Sequence, residues 1–236
     1  MEIDGVLLVD KAPGMTSHDV VAISRRALDT RKIGHCGTLD PLATGLLILT
    51  IGRGTKIQDL LMSEDKEYEG TMKLGLTTSS QDSDGQPLEE RPVPELSQDE
   101  IEAVFTKYRG DFYQMPPMVS AIKKDGVPLY KLARQGKHVE REPRFVHVYS
   151  SAVLGVRLPE IDFRVVCSKG FYVRTFSHDI GESLGCGAHL ASLRRTKSGK
   201  FSVDGAVTVE ELKTLSCETL RSRVMSLPSV SRLRGA

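Results

Sequence analysis

The chain has 236 residues, 39% of them hydrophobic and 27% charged, with a formal net charge of +1 at pH 7. That length supports one or two domains whose core needs no disulfide or metal staple, and the balance excludes disordered and collagenous classes. No apolar run approaches the roughly 18 residues of a membrane-spanning helix, the start MEIDGVLLVDK lacks signal-peptide regions, and the chain contains no asparagine and so no glycosylation sequon; a cytoplasmic protein without membrane contact is expected.

In chain order, GVLLVDK reads as a short buried strand and SHDVVAISRRAL as a helix, with apolar residues at helical spacing and Ser17 as its cap. The stretch GHCGTLDPLATG at 34–45 then sets one carboxylate, Asp40, among glycines, threonines and a proline, directly before LLILTIGRGTKI, which reads as a strand. Pro41 and the flanking glycines restrict the backbone of Asp40. A fixed carboxylate can serve as nucleophile or base, although an Asp-Pro step is also the ordinary mark of a turn. YEGTMKLGLTT alternates as a further strand, QDSDGQPLEERPVP reads as an exposed acidic loop, and SQDEIEAVFTKYRG as a helix with Ser97 and Glu100 at capping-box spacing.

Beyond the Pro-Pro of YQMPPMVSAIKKDG, VPLYKLARQGK reads as a short basic helix, and RFVHVYSSAVLGV and IDFRVVCSKG as strands. FYVRTFSHDIGESLG turns from strand into helix, AHLASLRRTKSGKF is short and basic, and TVEELKTL opens a last helix. Strands and helices alternate without a regular βαβ repeat, which predicts an α+β fold with a mixed, largely antiparallel sheet. No internal repeat is present.

Charge is unevenly spread. Positions 63–102 hold twelve acidic residues against three basic, whereas 121–147 hold seven basic (Lys123, Lys124, Lys131, Arg134, Lys137, Arg141, Arg144) against three acidic. Positions 164–200 hold a further seven basic (Arg164, Lys169, Arg174, Arg194, Arg195, Lys197, Lys200) against two. If those basic segments share a face they bind a polyanion; otherwise they are solvated surfaces. The four cysteines form no CxxC pair, and His35 beside Cys36 has no second ligand pair, so neither disulfide nor metal is expected. GRGTK at 52–56 lacks the spacing of a P-loop. On the strand expected at FYVRTF, Tyr172 and Arg174 point to one face. An arginine among apolar neighbours needs a partner, and Asp40 is the earlier carboxylate in an equally constrained setting. An Asp40–Arg174 pair would keep the carboxylate ionised.

Five stretches in order, DKAPGMTSHDVV, GHCGTLDPLATG, KEYEG, QMPPMVSAIKKDGVPLYKLARQGKHVEREPR and CSKGFYVRTFSHDIGESLG followed by LRRTKSGKF, closely resemble the bacterial tRNA pseudouridine-55 synthase family from about Gly5 to about Ala206. The resemblance implies a pseudouridine synthase fold with a thumb-like basic insertion at about 123–145. It implies isomerisation of uridine 55 in the TΨC loop of tRNA, with Asp40 as nucleophile, Tyr68 stacking on the target base and Arg174 pairing with Asp40. His35 would contact the RNA where the uridine is flipped out, Leu193 would line the pocket, and Lys11 would support the site; Tyr172 accompanies Arg174 in the same motif. Lys123, Lys131, Arg134, Lys137, Arg141, Arg194 and Arg195 are the implied RNA contacts. No cofactor or metal is implied, because the reaction transfers no group and changes no oxidation state, and a monomer is expected.

Three positions depart from the family's usual residues: Ala12, where proline is common, Cys36 and Phe171. Many relatives carry a C-terminal PUA-type domain, and the chain ends at SLPSVSRLRGA, about where that domain would begin. A single catalytic domain over 1–236, with a short helical tail at about 207–236, is therefore expected to grip RNA by itself. Two other functions fit parts of the pattern. One is a tRNA chaperone acting without catalysis. The other is a nucleoside glycosidase, which usually needs a second carboxylate that the motifs lack.

Overall fold

The apolar run of GVLLVDK forms β1 (Gly5–Lys11), buried along most of its length. The computed structural model describes residues 3–120, 122–124, 126–129, 132, 135 and 139–235, without the side chains of 123, 124 and 128. After β1 come α1 (Ser17–Ala27), β2 (Ile33–Cys36), β3 (Thr44–Ile51), a 3-10 turn (Gly52–Ile57), α2 (Gln58–Met62), β4 (Lys66–Leu74), β5 (Leu76–Thr78), β6 (Pro87–Glu90), α3 (Gln98–Lys107) and β7 (Gly110–Gln114). They are followed by β8 (Lys123–Lys124), β9 (Val127–Pro128), β10 (Arg144–Arg157), β11 (Glu160–Cys167), α4 (Val173–Ser183), β12 (Ala188–Ser198), β13 (Phe201–Ser202), β14 (Val207–Thr208), α5 (Val209–Thr214), α6 (Cys217–Ser222) and α7 (Leu227–Arg234). No helix among the described residues is long and apolar enough to cross a membrane.

The chain divides into two compact units: Met1–Tyr68 with Leu193–Ala236, and Glu69–Ser192. The boundary falls within β4 and β12. In the first unit β3 pairs antiparallel with β1 and β2, and parallel with β12 through Arg194↔Thr44 and Arg195↔Gly45. β14 joins β1 in parallel. Val6, Leu46, Ile48, Leu61, Phe201 and Val230 form a buried cluster beneath these strands. In the second unit β7, β10 and β11 are antiparallel neighbours. Their inner face packs on α3 and α4 through Phe105, Phe163 and Phe176, whose ring centroids lie 5.7–6.0 Å apart. The architecture is α+β, with a mixed and largely antiparallel sheet flanked by helices.

Several local expectations shift. Thr16, not Ser17, caps α1. LLILTIGRGTKI stops being a strand at Ile51 and continues as the 3-10 turn. YEGTMKLGLTT breaks into β4 and β5 at Gly75, whose φ of +90° a strand does not tolerate. The acidic loop contains β6 paired with β5, and its Asp82 is buried. Val127 and Pro128, expected to open a helix, pair with Lys123–Lys124, and the rest of that helix lies largely outside the described residues. TVEELKTL is not the last helix: Leu215 turns extended, and the side chains of Ser216 and Ser226 each cap a further helix.

Candidate active site

The loop joining β2 to β3 holds Asp40, and the peptide groups around it are individually fastened. Ser17, buried in the first turn of α1, accepts from the Leu39 N–H at 2.9 Å and donates to the Leu39 carbonyl at 3.2 Å. It can do so because Thr16 takes the capping role, its hydroxyl accepting from the Asp19 N–H while the Asp19 carboxylate accepts from the Thr16 N–H. The Pro41 carbonyl accepts from the Gly14 N–H at 2.9 Å and from the Lys11 ammonium at 3.3 Å. The carbonyl of Asp40 itself closes a turn on the Ala43 N–H. The Asp40 side chain remains half-buried.

Lys11 ends β1 fully buried, and its ammonium also donates to the carbonyls of Ala12 (2.9 Å) and Met15 (2.7 Å). Burial pulls its pKa down to about 8, against the opposing pull of the Asp40 and Asp19 carboxylates. Arg195 fastens the other end of the loop, donating to the carbonyls of Gly37 (3.0 Å) and Leu46 (2.7 Å). At 1% exposure it cannot present its guanidinium to a phosphate, so the expected RNA contact gives way to a role in holding the loop. Arg194 reaches outward and grips Asp10 with both terminal nitrogens, at 3.0 and 2.7 Å. Leu193 is buried, with its carbonyl accepting from the Thr44 hydroxyl.

His35, half-buried on β2, stands edge-to-face to the His18 ring at 5.2 Å. Its Nδ1 is buried without a hydrogen-bond partner among the described residues. Burial, then the electrostatic influence of His18 and Arg195, lowers its pKa to about 4, so the ring is neutral at physiological pH. Burial pushes the neighbouring Cys36 thiol up to about 12, which leaves it unreactive. Tyr68 sits half-buried on β4, next to Glu67, which accepts from Thr196 at 2.7 Å. The first unit thus gathers Lys11, Asp40 and Leu193–Arg195 where β1 ends, β3 begins and β12 passes beside it.

In the second unit Arg174 is not on a strand. It is the second residue of α4, which follows an extended Tyr172. Buried Gln114 fixes Tyr172 by accepting from its N–H at 2.8 Å and donating to its carbonyl at 3.0 Å. The Arg174 guanidinium donates to the carbonyls of Ser80 (3.0 Å) and Val119 (2.7 Å) and faces the Asp82 carboxylate at 3.6 Å. Asp82 is the group the sequence reading missed. It lies in a stretch whose acid count suggests solvent, and the available signal was the Ser80–Asp82 spacing, which favours a local side-chain bond and carries one here.

Residues 25–173 match the TruB family pseudouridylate synthase N-terminal domain, and 174–229 match the tRNA pseudouridylate synthase B C-terminal domain. The chain belongs to the TruB family of pseudouridylate synthases. The tRNA pseudouridine synthase B of Opitutus terrae is 55% identical over 95% of this chain and 93% of its own length. That of Syntrophotalea carbinolica is 48% identical over 98% and 75% respectively. A chain in the crystal structure of a Cbf5–Nop10–Gar1 complex superposes with a TM-score of 0.74 at 30% identity, over 97% of this chain. The present chain spans 62% of that one. In this TruB-family chain Arg141 of the basic insertion donates to the Pro116 carbonyl at 2.8 Å. Lys131, Arg134, Lys137 and the side chain of Lys123 lie outside the described residues.

Proposed function

We propose that this chain isomerises a uridine of tRNA to pseudouridine, and that the target is uridine 55 in the loop of the TΨC arm. The relatives named tRNA pseudouridine synthase B support the substrate. The observation that carries the mechanism is the fastening of the Asp40 loop at Gly37, Leu39 and Pro41, which holds a half-exposed carboxylate in one place. Preorganisation of that kind is what a nucleophile requires.

The reaction breaks the N1–C1′ bond, rotates the uracil and joins C1′ to C5; C5 gives up its proton and N1 gains one, so atoms and electrons balance without a cofactor. Asp40 acts as nucleophile, and Arg174 is assigned as its counter-charge. Tyr68 offers a flat face to the detached base, and Leu193 lines the pocket. C1′ and C5 cannot be reached within a stack, so the uridine is flipped out at a cost of roughly a few kcal/mol, and His35 occupies the space it leaves. The cations of the insertion and Arg194 meet flanking phosphates.

The test is incubation of purified protein with unmodified tRNA transcript, followed by carbodiimide mapping of pseudouridine, with an Asp40→Ala control. One new site in the TΨC loop, absent in the control, is expected. No modification with tRNA binding intact would instead favour a tRNA chaperone.

A further inference from the structure

Five helices start from a residue whose own side chain caps them: Thr16 for α1, Ser97 for α3, Thr208 for α5, Ser216 for α6 and Ser226 for α7. α4 does not. It starts from Tyr172, which is extended (φ −109°, ψ 108°) and makes no side-chain cap bond, although a cap is what ordinarily secures the open N–H groups of a first turn. Gln114, at the end of β7 and 58 positions earlier, supplies the anchor instead. Its carboxamide oxygen accepts from the Tyr172 N–H at 2.8 Å and its nitrogen donates to the Tyr172 carbonyl at 3.0 Å. The same carbonyl accepts from the Phe176 N–H at 3.0 Å, so the clamp sits on the opening turn of the helix. One side chain thereby reproduces the double exchange of a hydrogen-bonded pair in an antiparallel ladder.

Packing alone does not call for glutamine here. Gln114 is 2% exposed, so its amide is stripped of water, whereas methionine fills a similar volume without that cost. What the two bonds fix is the place where α4 begins. Arg174 stands two residues further on, 4% exposed, and its guanidinium reaches the Ser80 and Val119 carbonyls at 3.0 and 2.7 Å. Those acceptors are main-chain atoms, which suit one placement of the helix start and no other. The partial positive charge of the first turn opposes a cation there, so Arg174 depends on a start that does not fray.

We infer that Gln114 is a positioning residue for the isomerisation: by clamping the backbone of Tyr172 it sets where α4 begins and so where Arg174 stands. The inference rests on the function proposed above, in which Arg174 is the counter-charge of Asp40. Single-turnover rate and KM on unmodified tRNA transcript are measured for the wild-type chain, Gln114→Met, Arg174→Gln and the double variant, each well below its melting temperature. Gln114→Met should lower the rate at least about tenfold, within the range of an ångström-scale misplacement, with KM changed less than about twofold. In the Arg174→Gln background the same substitution should lower the rate less than about threefold, because the group it positions is gone. A role in folding alone would lower the melting temperature and leave the rate of folded protein unchanged. A rate near wild type in Gln114→Met, or an equal fall in both backgrounds, overturns the inference. Gln114→Glu keeps the acceptor for the Tyr172 N–H and loses the donor to its carbonyl, and a carboxylate is tolerated beside the first turn of a helix. Its rate should lie between wild type and Gln114→Met; if the methionine variant does not fold, a wild-type rate in Gln114→Glu is the overturning result. A wild-type chain that forms no pseudouridine removes the functional reading and the inference together, whereas an active wild-type chain with equally active Gln114 variants removes the inference alone.

Discussion

Arg174 and Asp82 form a buried ion pair, Nε to Oδ2 3.6 Å, with side chains 5% and 6% exposed. The pairing answers an electrostatic problem set by the helix. Arg174 occupies the first turn of α4, where the exposed N–H groups already carry partial positive charge and disfavour a cation. Asp82 opposes that charge, and the Ser80 hydroxyl and the Asp84 N–H both donate to the Asp82 carboxylate. The acid is thereby aimed at the guanidinium by its own loop.

Replacing Asp82 by Asn should therefore do more harm than its place in an acidic loop suggests. Breaking one side of a buried pair costs about 3–5 kcal/mol, which at this chain length lowers the melting temperature by roughly 10 °C. Isomerisation should fall at least about tenfold as Arg174 loses its orientation. Thermal scans and single-turnover rates on Asp82→Asn, Arg174→Gln and the double variant check this. The double variant should cost clearly less than the two singles summed, whereas strict additivity would show that the pair carries no coupling.

Lys11→Met tests the fastening of the Asp40 loop within the first unit. The substitution keeps an apolar stem and removes the donor to Ala12, Met15 and Pro41. Lost hydrogen bonds, each worth about 1 kcal/mol, are partly offset because a charge need no longer be buried, so the denaturant midpoint should move little. The reaction rate should fall about a hundredfold, the effect of an ångström-scale misplacement, with KM nearly constant. A rate near wild type would remove Lys11 from the machinery that holds Asp40.

How much of this was legible in the residues differs by kind of feature. The capping box at Ser97 and Glu100 and the strands β1 and β3 rest on contacts between near neighbours or on long apolar runs, and these hold. The tight turn at Asp40 and Pro41 was equally plain. FYVRTF was not, because six residues with alternating apolar positions fit a period of 2 or 3.6 alike, and Val173, Phe176 and Ile180 follow the helical one. The roles of Ser17, Arg195 and Asp82 depend on partners far away in the chain or on burial that local composition conceals. Ser17 bonds across 22 positions and Arg195 across 149 and 158, and no local pattern announces such links.

His35 makes stability depend on pH in a defined direction. Its folded pKa of about 4 lies below the ordinary 6.5, so between those values the unfolded chain binds the extra proton. Stability from this residue is full above pH 6.5 and is lost as pH falls from 6.5 to 4, by an amount on the order of 3 kcal/mol. Urea midpoints of the wild-type chain and His35→Gln at pH 7 and pH 4.5 check the claim. The variant should show a shallower loss, and parallel losses in both proteins would mean that the ring protonates in the folded state as it does in water.

Gly45 tests whether backbone contact between β3 and β12 positions the loop. Its φ is +96°, and a Cβ built there would lie 2.3 Å from the Arg195 carbonyl oxygen and 2.8 Å from the Arg195 nitrogen. Both are main-chain atoms, so no side chain can turn aside to make room. Gly45→Ala must then strain its own backbone, push β12 away from β3, or both, at a cost of roughly 3 kcal/mol or more. Because Arg195 also holds the Gly37 carbonyl, the displacement should pass to the Asp40 loop and lower activity beyond the loss of folded protein. Activity per folded molecule, measured well below the variant's melting temperature, separates the two effects. A variant that is destabilised yet fully active per folded molecule would show that the strand contact supports the fold without setting the position of Asp40.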